Sequence, residues 1–251
     1  MSIYTLHANS LINADEKIRE LRIKYPQFTF INVLSWKADN PHRQFSPYYL
    51  KTDGNEQNVN PGGIIFENFY QGSKVPQYAY SISVKAHYTH TTPIWTYFIP
   101  DDRERIVYDD GTINYDGYDR WRTSIWACKN AIRYPIGRNR RKEIQFALVR
   151  DKLGNEIRHD YLSTRINIYV AEYNRLVTPF IKPLIEKLRN NQSLVICEVD
   201  VPARGKRGEF GIGCDSDNLC LIDSAKINTL LTDLSEPFGH GLALIKLLYE
   251  L

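Results

Sequence analysis

Strand-like patterns of apolar and polar residues mark the first half of the chain. Residues 28–34 form a short run of apolar, β-branched and aromatic side chains, which predicts a buried strand. Residues 77–108 alternate aromatic and polar side chains, a pattern typical of strands. Asp110 and Gly111 separate two such runs and predict a tight hairpin turn. Residues 37–62 are polar and rich in Asn, Pro and Gly, which indicates a long surface loop.

Helical periodicity is the main pattern of the second half. Apolar residues recur at helical spacing over 160–177, with Asp160 as the predicted N-cap, and the spacing continues over 180–188. The last dozen residues also predict a helix, whereas 193–200 is a second candidate for a buried strand. Because strands and helices do not alternate regularly, the sequence predicts an α+β fold in a single domain over 1–251, strand-rich first and helix-rich later.

Two helices are also predicted in the first half. Residues 14–24 have helical character before Pro26, and Asn13 with Glu16 resembles a helix N-cap and its capping-box partner. A shorter helix is predicted over 67–74, directly after an apolar stretch. The first half is therefore predicted to contain these two helices, the strand at 28–34 and the strands at 77–108.

Composition excludes several classes of protein. The 251 residues carry 32 basic and 29 acidic side chains, a net charge of +3, which is too mild to indicate a nucleic-acid coat protein. Hydrophobic residues make up 43% of the chain, enough for a sizeable core. The N-terminus lacks the features of a signal peptide, and no stretch approaches the ~20 apolar residues of a membrane helix. We therefore expect a soluble, cytoplasmic protein that does not interact with membranes.

The cysteines indicate neither a metal site nor a disulfide framework. They are Cys128, Cys197, Cys214 and Cys220, separated by 69, 17 and 6 positions. These spacings match no zinc-binding pattern and no compact disulfide arrangement. Cys197 lies inside an apolar run and is predicted to be a small buried hydrophobe. Reduced thiols are therefore expected.

Polar residues share one face of the predicted short helix. Glu67, Gln71 and Lys74 occupy positions i, i+4 and i+7, which lie on the same side of a helix. This face is either a solvated stripe with one weak Glu–Lys interaction or the polar face of a functional site. Tyr70 and a preceding glycine pair make 62–74 the densest functional signal in the chain.

Four segments occur along the chain in a suggestive order: FSPYYL (45–50), ENFYQGSK (67–74), LVICEVD (194–200) and PFGHGLALIKLL (237–248). Together they resemble the NADAR (YbiA-like) superfamily of N-glycosidases. That family has an F-S-P-like segment, a helix of the type E-H-x-x-Q-x-x-K, a strand end of the type L-V-E…D, and a terminal helix that starts G-x-N-x-L-G. The chain departs from the family at Asn68, where a His is expected, and in its Gly-His-Gly at 239–241.

The resemblance implies an enzyme that cleaves an N-glycosidic bond of ribose, in riboflavin precursors or in ADP-ribosylated guanine. Breaking a C1′–N bond builds positive charge on the ribose. A nearby carboxylate either stabilises that charge or activates the attacking water. Glu67 is the candidate carboxylate, and Asp200 is the second. Lys74 is the candidate to bind a phosphate or to neutralise the departing base. Asp200 has an alternative role as a strand-end residue that pairs with Arg204 or Lys206.

Other residues are candidates for substrate binding, each with a structural alternative. Clustered arginines suit phosphate oxygens but also form ordinary solvated surfaces. Trp126 is either a wall on which a base stacks or a core residue. The glycine pair around His240 either admits an anion to the start of the last helix or eases a turn before a packed helix. The candidates are Tyr70, Gln71, Trp126, Arg138, Arg140, Arg141, Arg204, Gly239, His240 and Gly241.

The sequence thus favours an N-glycosyl hydrolase whose substrate is a nucleotide-like small molecule or a modified nucleic acid. One alternative is a nucleotide or nucleic-acid binding module without catalysis. A glycosylase that acts on modified DNA bases lies between these two. The third class is a structural or partner-binding protein. No Walker or dinucleotide motif occurs, so no cofactor is expected.

Overall fold

The computed structural model describes residues 2–9, 11–35, 37–53, 63–82, 98–129, 131, 144–150, 153–203, 213–235 and 237–251. The strands are β1 (Ile3–His7), β2 (Thr29–Asn32), β3 (Lys51–Thr52), β4 (Ile64–Ile65), β5 (Lys74–Pro76), β6 (Tyr78–Ile82), β7 (Phe98–Arg105), β8 (Ile144–Arg150), β9 (Glu156–His159), β10 (Leu194–Glu198) and β11 (Leu219–Ile222). The helices are α1 (Leu11–Lys24), α2 (Phe66–Ser73), α3 (Tyr115–Trp126), α4 (Tyr161–Thr164), α5 (Ala171–Val177), α6 (Lys182–Arg189), α7 (Ser224–Thr232) and α8 (His240–Glu250), with a π-helical stretch at Arg165–Val170. Strands predominate early and helices late, which is the predicted α+β character.

The chain forms two compact units. Unit 1 comprises Met1–Tyr49 and Arg165–Leu251, and unit 2 comprises Leu50–Thr164. Unit 1 is therefore assembled from the two ends of the chain.

Unit 1 is built on a four-stranded sheet with the order β11-β1-β10-β2. β1, β10 and β2 are parallel, and β11 is antiparallel to β1. Helix α1 connects β1 to β2 and covers one face of the sheet, where its Ile18 and Leu21 share a buried cluster with Leu6, Phe30 and Val195. This cluster removes the apolar stripe of α1 from water, which is the main stabilising term available to an amphipathic helix.

Unit 2 combines small antiparallel ladders with a pair of packed helices. The ladders are β3-β4, β5-β8-β9 and β6-β7. Tyr118 of α3 is buried, and its hydroxyl donates to the carbonyls of Gly72 and Ser73 at 3.1 and 3.2 Å. These carbonyls belong to the last turn of α2, which has no intrahelical donors for them. The packing of α3 thus fixes the end of α2.

Several predicted features are confirmed. The predicted helix at 67–74 is α2, one residue displaced. Gly111 has a φ of 80° in a tight turn that the Tyr108 amide closes on the Thr112 carbonyl. Asp160 accepts a hydrogen bond from the Ser163 amide at 2.7 Å, as an N-cap does. Parts of the predicted loop and of the alternating region, 54–62 and 83–97, lie outside the described residues.

Two predictions are wrong. Asn13 is not an N-cap, because α1 begins at Leu11; its side chain accepts a hydrogen bond from the Asn9 amide instead. The cysteines are not all reduced, because Cys214 and Cys220 form a disulfide where the chain turns back on itself. Among the described residues, no helix combines the length and the apolar character needed to span a membrane.

Candidate functional site

The polar face of α2 is a continuous chain of hydrogen bonds. Gln71 Nε2 donates to Glu67 Oε1 at 2.6 Å, and Lys74 Nζ donates to Gln71 Oε1, also at 2.6 Å. The amide of Gln71 can satisfy both neighbours only in this orientation, since a carboxylate accepts and an ammonium donates. The carboxylate and the cation are therefore coupled through one amide.

Position along the helix favours both charges. Glu67 lies in the first turn, and Lys74 follows the last, so each complements the helix dipole at its end. Gln71 is buried, whereas Glu67 and Lys74 are half-buried. The ammonium also lies 4.6 Å from the centre of the Tyr70 ring, in cation–π geometry. The buried amide distinguishes this face from a solvated stripe.

The opposite face of α2 is anchored in the interior of unit 2. Asn68, where the resembling family has His, is fully buried and donates to the Cys128 carbonyl at 3.3 Å. Phe69 stacks on Trp126, with the ring centres 6.1 Å apart. Trp126 is buried, and the backbone of Gly72 lies against its indole. Trp126 thus has the core position that the sequence left open as an alternative to a pocket wall.

Replacing Gly72 with alanine should destabilise the protein, although alanine normally favours a helix. A Cβ at this position would lie 2.4 Å from Trp126 Nε1 and 2.9 Å from its Cδ1, so the ring or the helix must move. We expect a loss of about 1–3 kcal/mol in the free energy of unfolding, as for other overpacked interiors. Urea denaturation measures it.

A double variant separates this clash from a general effect of the substitution. In a Trp126→Leu background the indole is absent, so Gly72→Ala should cost much less than it costs in the parent protein. An equal cost in both backgrounds would show that the close approach of the two groups is not the cause.

Unit 1 places a second set of polar residues at the end of β10. Glu198 and His240 are both buried, and His240 Nδ1 lies 2.7 Å from Glu198 Oε2. The same oxygen accepts a hydrogen bond from the Gly241 amide at 3.0 Å, and Oε1 accepts one from the Val199 amide at 2.9 Å. His240 Nε2 lies 3.0 Å from the Val33 carbonyl. Every hydrogen-bonding atom of this pair therefore has a partner within unit 1.

The protonation of Glu198 follows from these contacts. Burial raises the pKa of its carboxyl, but the His240 ring and the two amides together hold that pKa below its ordinary value. The carboxylate also occupies the start of α8, where an anion is favoured. Burial and the charge of Glu198 raise the pKa of the nearby Tyr173 well above its ordinary value.

Two glycines allow the Glu198 side chain to lie close to the start of α8. A Cβ on Gly239 would lie 3.0 Å from Glu198 Oε2, and one on Gly241 would lie 3.1 Å from Glu198 Cβ. The amide of Gly241 is thus occupied by Glu198 rather than open to a phosphate. This arrangement favours the second sequence interpretation of the Gly-His-Gly segment, a turn before a packed helix.

The candidate residues are divided between the two units. Glu67, Tyr70, Gln71 and Lys74 lie together on or beside α2 in unit 2. In unit 1, Asp200 is exposed, and its Cβ would be 2.9 Å from a Cβ on Gly239, so it lies beside the Gly-His-Gly turn. The arginine candidates lie outside the described residues: Arg138, Arg140, Arg141 and Arg204.

The sequence did not identify Glu198, a buried carboxylate that lies next to the candidate residues His240 and Gly241. The available signal was its position, since it directly follows the apolar run LVIC of a predicted buried strand. A charged residue at such a point must be paired if the strand is buried. Its partner, His240, was a candidate for a different role.

Comparisons with protein-family models, with curated proteins and with solved structures found no match. Within the described ranges, no three His, Cys, Asp or Glu side chains are grouped closely enough to hold a metal ion. The chemistry of the site is therefore inferred from its own residues.

Proposed function

We propose that the protein is an N-glycosidase that hydrolyses a base-to-ribose bond in an ADP-ribosylated or nucleotide-like substrate. The observation that carries this proposal is the hydrogen-bonded chain Glu67–Gln71–Lys74. It supplies a fixed carboxylate and a cation on one half-buried face, the two kinds of group that this reaction uses. The resemblance of four segments to the NADAR superfamily is the second support.

The reaction assigns distinct tasks to the two charged groups. As the C1′–N bond breaks, positive charge develops on the ribose, and a carboxylate beside C1′ lowers the energy of that state. Glu67 is this carboxylate, or it removes a proton from the water whose oxygen forms the new bond to C1′. The electron pair of the broken bond leaves with the base, which then takes up a proton.

Gln71 orients the reacting carboxylate. Its side-chain amide holds Glu67 Oε1 at 2.6 Å and is itself held by Lys74. Such orientation reduces the reorganisation needed at the moment of reaction. Lys74 binds a substrate phosphate or neutralises the departing base. A cytoplasmic location and a small-molecule or nucleic-acid substrate belong to the same proposal.

Release of free base tests the proposal directly. The protein is incubated with ADP-ribosylated nucleosides, ADP-ribosylated oligonucleotides and small nucleotide metabolites, and the released base is measured by chromatography. We expect time-dependent release from at least one of these classes. Binding to oligonucleotides that weakens steeply with salt, with no base released from any class, would instead indicate a binding module.

A further inference from the structure

Three segments of unit 1 are attached to β2, the last strand in the order of the four-stranded sheet. Helix α1 leads directly into the start of β2. The connection after α6 also reaches that start, where the Thr29 amide donates to the Ser193 carbonyl at 2.9 Å. The segment after β2 folds back on its end, where Asn40 Nδ2 donates to the Asn32 carbonyl at 2.9 Å. Because β2 has only four residues and spans about 10 Å, these three segments lie near one another.

Each of the three segments has a basic side chain. Arg22 lies in the last turn of α1, Lys187 lies in the last turn of α6, and His42 follows Asn40. The backbone of His42 is fixed on both sides: its amide donates to Asn40 Oδ1 at 3.0 Å, and its carbonyl accepts from the Phe45 amide at 3.0 Å. His42 and Lys187 are half-buried, whereas Arg22 is exposed. One basic group therefore comes from each of two helix ends and one from a turn.

The charges of Arg22 and Lys187 act on the imidazole of His42. Burial of the ring lowers its pKa, and the two positive charges lower it further, to about 4. Since salt screens charges beyond about 10 Å, the guanidinium and the ammonium lie within roughly that distance of the ring. At neutral pH the ring is therefore uncharged and keeps one N–H group that can donate a hydrogen bond.

These basic groups have no acidic counterpart in the described part of the chain. No ion pair there joins a carboxylate to Arg22, His42 or Lys187. Lys24, in the same turn of α1 as Arg22, is by contrast paired with Asp217 at 2.5 Å. A cation at a helix end complements the helix dipole, but that does not require two of them to act on one half-buried ring. An anion among the three groups would replace this repulsion with attraction.

We propose that Arg22, His42 and Lys187 form a binding site for the phosphate group of a small molecule. The guanidinium fork of Arg22 donates to two phosphate oxygens, Lys187 supplies a compact positive charge, and the neutral ring of His42 donates one hydrogen bond. A phosphate has three strong acceptor oxygens for these donors, whereas a carboxylate has two. All three residues belong to unit 1, and the inference depends neither on α2 nor on hydrolysis.

Titration with inorganic phosphate and with ADP-ribose, at constant ionic strength and neutral pH, tests the site. The amide resonances of Arg22, His42 and Lys187 in ¹⁵N-labelled protein should shift and saturate. Acetate should bind about tenfold more weakly than phosphate, because it offers fewer oxygens and less charge. Equal affinity for both inorganic phosphate and acetate would overturn the assignment to phosphate. Tighter binding of ADP-ribose than of inorganic phosphate would identify a phosphate ester as the ligand.

Substitutions on the two helices separate a site from general attraction of anions. Arg22→Gln and Lys187→Gln should each weaken phosphate binding by about tenfold or more, because each removes a charge-assisted hydrogen bond. The matched controls are Arg19→Gln and Arg189→Gln, which remove the same charge from exposed positions of the same helices. Both controls should bind phosphate almost as the parent protein does.

Two results would overturn the inference. One is that neither phosphate nor ADP-ribose binds at millimolar concentration. The other is that Arg19→Gln weakens binding as much as Arg22→Gln, since phosphate would then respond to the overall charge of the protein and not to a site. Both positions are exposed, so equal urea midpoints for these two variants are expected and would establish that weaker binding does not reflect unfolding.

Discussion

Replacing Glu67 with glutamine should lower the rate of base release by about 10³-fold and leave ligand binding almost unchanged. The substitution is isosteric, and its side-chain oxygen can still accept the hydrogen bond from Gln71. What it removes is the negative charge that the developing ribose cation needs, and positioned acid–base or electrostatic groups contribute about 10²–10⁴-fold. The measurement is the initial rate of base release at saturating substrate, with affinity determined separately.

The control for this substitution is Glu20→Gln, which makes the same chemical change on the exposed side of α1. It should retain the parent rate. Equal urea midpoints of the two variants would establish that Glu67→Gln is folded. A Glu67→Gln protein that releases base at the parent rate would remove Glu67 from the reaction, and with it the observation on which the hydrolase proposal depends.

The α2 face could be predicted from the sequence because its signal is local. Three polar residues at i, i+4 and i+7 share a side of any helix, whatever the rest of the chain does. The hydrogen bonds from Gln71 to Glu67 and from Lys74 to Gln71 follow from that spacing. The packing of α2 against α3 could not be predicted in the same way. Tyr118 and Trp126 belong to α3, a helix that the apolar pattern did not reveal.

The order of strands in unit 1 has no local signature. β10 lies between β1 and β2, so Leu194 pairs with both Ile3 and Thr29, far away in sequence. Residues 3–7 are too short a run to be recognised as a strand without these partners. The sequence therefore did not reveal the strand–helix–strand unit at the N-terminus. It also did not reveal the contact between Glu198 and His240 at the end of β10.

The helix start at Leu11 differs from the start that the capping pattern predicts. Asn13 and Glu16 have the spacing of a capping box, but the helix extends past Asn13 toward β1. Lys17 donates to the His7 carbonyl at 2.9 Å, which ties the first turns of α1 to the end of that strand. Asn13 therefore lies inside the helix, where its side chain accepts a hydrogen bond from the Asn9 amide.

Replacing Arg165 with methionine should lower the free energy of unfolding by about 3–5 kcal/mol, the largest loss of stability that we predict. Arg165 is buried, and its Nη1 donates to the carbonyls of Leu230, Leu231 and Asp233 at 3.3, 2.9 and 2.6 Å. These carbonyls lie at the end of α7, where a helix has no donors of its own and where a cation is favoured. Each buried acceptor left unpaired costs about 1–3 kcal/mol.

Methionine nearly preserves the volume of the side chain, so the loss reports the hydrogen bonds rather than a cavity. Arg19→Met on the exposed side of α1 is the control and should change stability by less than about 0.5 kcal/mol. Lysine at position 165 keeps the charge but not the planar guanidinium, so Arg165→Lys should fall between the two. If urea denaturation gives the same midpoint for Arg165→Met as for the control, the guanidinium does not stabilise the end of α7, because removing the donor from the carbonyls of the buried residues Leu230 and Leu231 should cost free energy.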